Sequence, residues 1–110
     1  MARAGESVAI RSFRGTRRAS VYREHILSEN DFARIVATAT AGSLPLLSSL
    51  DAYAPRELGK AKAKRLADEI TDVRMSGELP DLDHDLTAIG EVARWCARAS
   101  DDAWLKIEAR

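Results

Sequence analysis

Two apolar stripes of equal period lie close together in the second half of the chain: Gly59, Ala63, Leu66, Ile70 and Val73, then Leu82, Leu86, Ile89, Ala93 and Cys96. Steps alternating between four and three place each set on one face of an α-helix. Between them, Ser76-Gly77 ends the first helix ahead of Pro80, and a link this short joins neighbouring helices that run antiparallel. The pattern predicts an α-hairpin whose first helix begins near Pro55 and whose second ends before Ser100-Asp101-Asp102.

What surrounds the hairpin is mixed. Val8 and Ile10 alternate with small residues in Ser7 to Phe13, and Arg14-Gly15-Thr16 follows as a turn, so this segment reads as a strand. Ala19 to Leu27 carries Val21, Tyr22 and Ile26 and fits an antiparallel return strand, while Arg23-Glu24-His25 leaves a helix open. Ala103 to Glu108 puts Leu105 and Ile107 on one face and Trp104, Lys106 and Glu108 on the other, the alternation of a half-buried strand. The best-marked helix start is Leu27-Ser28-Glu29-Asn30-Asp31-Phe32. There Ser28 is the N-cap, Asp31 is the acid at the third helical position, and Leu27 and Phe32 form a hydrophobic staple. Ile35, Val36 and Ala39 continue that face, and Gly42 supplies the stop. Ser43 to Leu50 fits one short helix with Pro45 at an early position.

The chain has 110 residues, the size of one domain. Ala supplies 19 of its hydrophobic residues, so the core is expected to be thin, with helices in close approach. The expected fold is α+β, with about four helices, two of them the antiparallel α-hairpin, packed on a small antiparallel sheet formed by the N- and C-terminal strands. Residues 1–110 are read as a single domain, with 1–6 disordered.

Lys and Arg total 17 against 17 Asp and Glu, a formal net charge of zero, which removes the general electrostatic argument for a DNA or anionic-membrane binder. One Cys forms no internal disulfide, and the N-terminal residues hold no apolar signal-like region, so a cytoplasmic location is expected. The longest undiluted apolar stretches, Ile35 to Ala37 and Leu44 to Leu47, are far short of a membrane span.

The densest charge feature is Glu78-Leu79-Pro80-Asp81-Leu82-Asp83-His84-Asp85. Asp81, Asp83 and Asp85 copy positions 1, 3 and 5 of a calcium loop, but Leu86 stands where the turn needs Gly and Val92 where a bidentate Glu is needed, so no metal site is expected. Acids at a helix start complement its dipole. Four of them exceed what one helix start uses, which makes Glu78, Asp81, Asp83 and Asp85 candidate partner contacts. Arg3, Arg11, Arg14, Arg17, Arg18 and Arg23 crowd the first 25 residues against only Glu6 and Glu24, and a basic hairpin of this kind can track phosphates. Its aromatic interleaving is limited to Phe13 and Tyr22. Lys60, Lys62, Lys64 and Arg65 precede Asp68, Glu69 and Asp72, an order that opposes the helix dipole and that the pairs Lys64–Asp68 and Arg65–Glu69 partly offset. Cys96 continues the apolar stripe and reads as an inert structural thiol. No nucleophile-elbow, phosphate-loop, dinucleotide or zinc-protease motif is present, so no catalytic residue and no cofactor are assigned. With only six aromatics in the chain, Trp95 and Trp104 each belong to core or interface, and Trp104 lies on the polar strand face as the exposed candidate.

The layout resembles that of small uncharacterised bacterial proteins, mainly actinobacterial, in which a Leu-rich turn runs into a helix and a short strand follows. The matching stretches are Leu46-Leu47-Ser48-Ser49-Leu50-Asp51-Ala52-Tyr53, Arg65-Leu66-Ala67-Asp68-Glu69-Ile70 and Ala103-Trp104-Leu105-Lys106-Ile107-Glu108. Proteins of this size and make-up include immunity proteins of bacterial toxin systems, so the resemblance implies a binding role and transfers no functional residue; the acidic segment, for its part, would steer a basic partner such as a toxin domain. The expectation is therefore a non-enzymatic protein-binding module, with Glu78, Asp81, Asp83, Asp85 and Trp104 as its contacts. The alternative is a nucleic-acid-associated regulatory protein that uses the Arg-rich N-terminal segment.

Overall fold

A computed structural model of the chain describes residues 7–15, 20–51, 54–99 and 102–109. The expected disorder of residues 1–6, and Arg17 and Arg18 of the basic segment, fall outside them. In chain order the elements are β1 (Ser7–Arg14), β2 (Ser20–Ser28), α1 (Glu29–Ala41), α2 (Pro45–Ser48), β3 (Arg56–Gly59), α3 (Lys60–Ser76), a 3-10 turn (Pro80–Leu82), α4 (Asp83–Arg98) and β4 (Ala103–Ala109). The four strands form one sheet in the order β2-β1-β4-β3, and every neighbouring pair is antiparallel. The fold is α+β as expected, with the N- and C-terminal strands side by side at its centre.

Strand register separates the two faces of the sheet. Val8 faces Leu27 across β1 and β2, Ile10 faces Ile107 across β1 and β4, and Leu58 faces Leu105 across β3 and β4. These side chains join Phe32, Ile35, Leu47, Leu66, Ile70, Leu86, Ile89 and Cys96 from the helices in one core. Ala9, Phe13, Ile26 and Trp104, on the alternate positions, are outside that core. All the helical cover is therefore on one side, the usual arrangement for an antiparallel sheet with one face left open. α3 and α4 make the most extensive contact between any two elements, and α4 lies over β1 and β2. Ala63 and Ala67 on α3 and Ala93 on α4 are buried, while Ala33, Ala37, Ala41 and Ala61 are exposed, so only part of the alanine content goes into the core.

The ends of α1 follow the sequence signals. The Ser28 side chain accepts from the Asp31 backbone N–H at 3.0 Å, and Leu27 and Phe32 are both buried. Gly42 is the C-cap, but its backbone is not left-handed; the left-handed residue is the following Ser43, at φ 59°. Ala19 to Leu27, left open between strand and helix, is resolved over Ser20–Ser28 as the edge strand β2.

Three local expectations change. The helix expected to begin near Pro55 begins at Lys60, because Arg56–Gly59 is drawn into the sheet along β4, and Gly59 becomes the N-cap residue instead of part of the stripe. The last helix starts after a separate 3-10 turn at Pro80–Leu82. Glu69 is buried, and its carboxylate accepts from the backbone N–H groups of Leu46 (3.1 Å) and Leu47 (2.7 Å). It thus caps the start of α2, which has no side-chain cap of its own. Among the described residues Glu69 makes no ion pair with Arg65, whereas Lys64 and Asp68 do approach to 4.0 Å, both well exposed.

Candidate protein-binding surface

The open face of the sheet is built in cross-strand rows. Phe13 lies opposite Val21 on β2 and Trp104 on β4, and Trp104 lies opposite Gly59 on β3. The Phe13 and Trp104 rings stack with centroids 4.4 Å apart and planes 19° apart, a geometry worth about 0.5 to 1.5 kcal/mol beyond area burial. The Trp104 indole Nε1 donates to the Gly15 carbonyl at 2.7 Å, and the Gly15 N–H donates to the Asp102 carbonyl at 3.1 Å. Gly15 has φ 82°, the left-handed conformation that glycine takes without strain. The indole is thus fixed at one edge and half-buried. On its other side Gly59 has no side chain, and a Cβ built there would touch nothing within 4 Å, so the space beside the ring is open.

The next row runs Glu24, Arg11, Lys106, Glu57 across the four strands. Arg11 pairs with Glu24 and lies 3.6 Å from Glu108, which is 3.2 Å from Lys106. Beyond it Ala9 sits between Ile26 and Glu108 and is fully shielded by these larger neighbours. The face offers a fixed aromatic pair beside a row of charges most of which are paired.

The acidic segment is arranged differently. Asp81 accepts two bonds from the Arg34 guanidinium, at 2.7 and 3.0 Å. Asp83 accepts from Arg74 Nε at 2.7 Å, and Asp85 Oδ1 lies 2.7 Å from His25 Nε2. The hydrogen bond and charge of Arg34 hold the Asp81 carboxyl below the usual carboxylate range. Asp81 therefore ties the 3-10 turn to α1, and Asp83 and Asp85 tie the start of α4 to α3 and β2. Glu78 is exposed, and its backbone N–H donates to the Ser76 hydroxyl at 3.3 Å. The three Asp carboxylates meet Arg34, Arg74 and His25 on the helix side of the sheet, whereas Trp104 is on the opposite side. The five candidate residues do not form one surface.

Among the described arginines of the basic hairpin, two of three have carboxylate partners. Arg11 has its two carboxylates, and Arg14 Nε lies 3.5 Å from Asp102. Arg23 is the exception. It sits beside an irregularity in the β1–β2 register between Ser12 and Phe13, where Tyr22 is the extra residue, and it lines a cleft with Glu91, Arg94, Trp95 and Arg98. Tyr22 stacks on Trp95 of α4 with centroids 5.0 Å apart.

Cys96 is fully buried, and that burial pushes its thiol up to about 11. Among the described residues no three His, Cys, Asp or Glu side chains are grouped to hold a metal ion, and no helix is long and apolar enough to cross a membrane. No family model, no curated protein and no solved structure matches the chain.

Proposed function

We propose that the protein is a non-enzymatic protein-binding module whose partner sits on the open face of the sheet, over the Phe13–Trp104 stack. The observation that carries this reading is an indole held in place by its own hydrogen bond, with open space at Gly59 beside it. Buried aromatic anchors of this kind supply most of the binding energy at protein interfaces. The partner that fits is a protein surface with an apolar side chain to lie beside the indole and a polar rim, because most charges in the row next to the stack already pair with one another. A strongly basic toxin domain would be drawn to the acidic segment instead, where Asp81 and Asp83 already pair with arginines and Asp85 contacts His25.

The test compares capture of a partner from native lysate by the wild type, by Gly59→Leu, by Lys106→Glu, and by the triple change Asp81→Asn, Asp83→Asn, Asp85→Asn. Gly59→Leu occupies the space beside the indole, since nothing crowds a side chain there. Both open-face variants are expected to lose the partner at least tenfold, and the triple variant to retain it. Capture that survives the open-face changes and disappears with the triple change would move the interface to the acidic segment and favour the basic partner.

A further inference from the structure

The cleft between β2 and α4 goes beyond that reading, because it gathers positive charge that nothing else in the fold uses. Arg11, Arg14, Arg34 and Arg74 each have a carboxylate within ion-pair distance. Among the described residues Arg23, Arg94 and Arg98 have none, although Glu91 lines the same cleft. Three guanidinium groups beside a single carboxylate leave a net charge of about +2, and such crowding of like charge is relieved by a bound anion.

The placement follows from both elements. Glu91, Arg94, Trp95 and Arg98 fall at i, i+3, i+4 and i+7 on one stripe of α4. The register irregularity on β2 turns Tyr22 toward that stripe, as its stack on Trp95 shows, with Arg23 beside it. Gly90 gives Arg94 its position. A Cβ at Gly90 would come within 2.9 Å of Arg94 Nη2, so the guanidinium lies close against the helix backbone where any other residue would displace it. Arg98 is in the last turn of α4, where the carbonyl end of the helix favours a cation and anchors it without a carboxylate.

We infer that this cleft binds the terminal phosphate of a mononucleotide, held by Arg23, Arg94 and Arg98. Arginine forks match phosphate oxygens two at a time, which suits a dianionic phosphomonoester better than a singly charged diester. The cleft, about 210 Å³, is below the range of sites that enclose a whole ligand, so it takes the phosphate and leaves the rest outside. Tyr22 stands next to it, 47% exposed and stacked on Trp95, a flat platform for a base.

The experiment is calorimetric titration of the intact protein with adenosine monophosphate, inorganic phosphate, adenosine, and a short single-stranded oligonucleotide with a 5′-hydroxyl end. Adenosine monophosphate is expected to bind one to one, and adenosine at least a hundredfold more weakly. Inorganic phosphate should bind in the same cleft about tenfold more weakly, and equal binding by phosphate would keep the cradle and identify free phosphate as its source. Arg94→Ala and Arg23→Gln, on separate elements, should each weaken nucleotide binding at least tenfold without changing the melting temperature, and Gly90→Ala should weaken it severalfold by displacing Arg94. If one of these variants melts early, Arg98→Gln on the last turn takes its place. The inference is overturned by adenosine binding as well as its monophosphate, by arginine variants that bind normally, by no binding at millimolar ligand, or by an oligonucleotide that binds more tightly than the mononucleotide.

Discussion

At the scale of single residues, burial decides the chemistry of Cys96. A fully shielded thiol beside apolar neighbours is costly to ionise, and its raised value of about 11 leaves about one thiolate per thousand molecules at pH 8. Labelling by a thiol reagent at pH 8 should therefore be slow in the native protein and fast in denaturant. Because the unfolded thiol ionises near 9 and the folded one near 11, stability should also decline as pH rises through that interval. Rapid native labelling would show that the stripe on α4 opens far more readily than its packing implies. The residue's place in the core was legible from its spacing after Leu86, Ile89 and Ala93. The partners of Asp81, Asp83 and Asp85 were not, since Arg34 and His25 are 47 and 60 positions away and no local pattern connects them.

At the scale of elements, what sequence periodicity revealed was whatever folds on local information. The α-hairpin, the capped start of α1 and the faces of β4 all depend on spacings within a few residues, and all are present, the hairpin with its first helix starting later than expected. β3 does not work this way. Arg56-Glu57-Leu58-Gly59 is four residues long, with only Leu58 buried, and it is a strand because the edge of β4 is there to pair with it. The Arg cleft was hidden for a similar reason: its α4 stripe could be read from spacing, but Arg23 reaches it only through the irregular register on β2. Glu69 is the clearest case of one element completing another. On α3 alone it looks like half of an exposed pair with Arg65, yet its carboxylate supplies acceptors for two N–H groups that α2 cannot satisfy itself. Replacing it with Gln removes the charge from both bonds and turns an amide donor toward the same N–H groups. Glu69→Gln should cost about 1.5 to 3 kcal/mol in urea unfolding, the range for hydrogen bonds to a buried charged group. A change below about 0.5 kcal/mol, the scale of surface substitutions, would show that the α2 turn is held by Leu46 and Leu47 alone.

For the whole molecule, everything meets at β4. It pairs with β1 on one side and β3 on the other, and it contributes the fully buried Leu105 and Ile107 to the core. Burying two such side chains stabilises by about 1.5 to 3 kcal/mol each, against a total of about 5 to 15 kcal/mol for a domain of ordinary stability. Removing residues 103–109 also leaves the inner edges of β1 and β3 unpaired. The shortened chain should therefore lose cooperative unfolding, as read by a thermal melt in circular dichroism. A melt as sharp as the full chain's would mean that the helices and the β1–β2 hairpin form a folding unit without the rest of the sheet.

That central strand also orders events in time. β1 and β2 can zip together early, as neighbours joined by a short connection, and α3 can find α4 in the same way. The sheet, however, closes only when β4 reaches β1 across almost the full length between them, since Val8 pairs with Ala109 and Arg14 with Ala103. Contacts of such long sequence separation slow folding, because the ordering of the intervening chain precedes any gain from the pairing. Until then the inner edge of β1, with Val8 and Ile10 beside it, is an open template for another chain. The interval before closure is when this protein is most exposed to misassembly with its own copies.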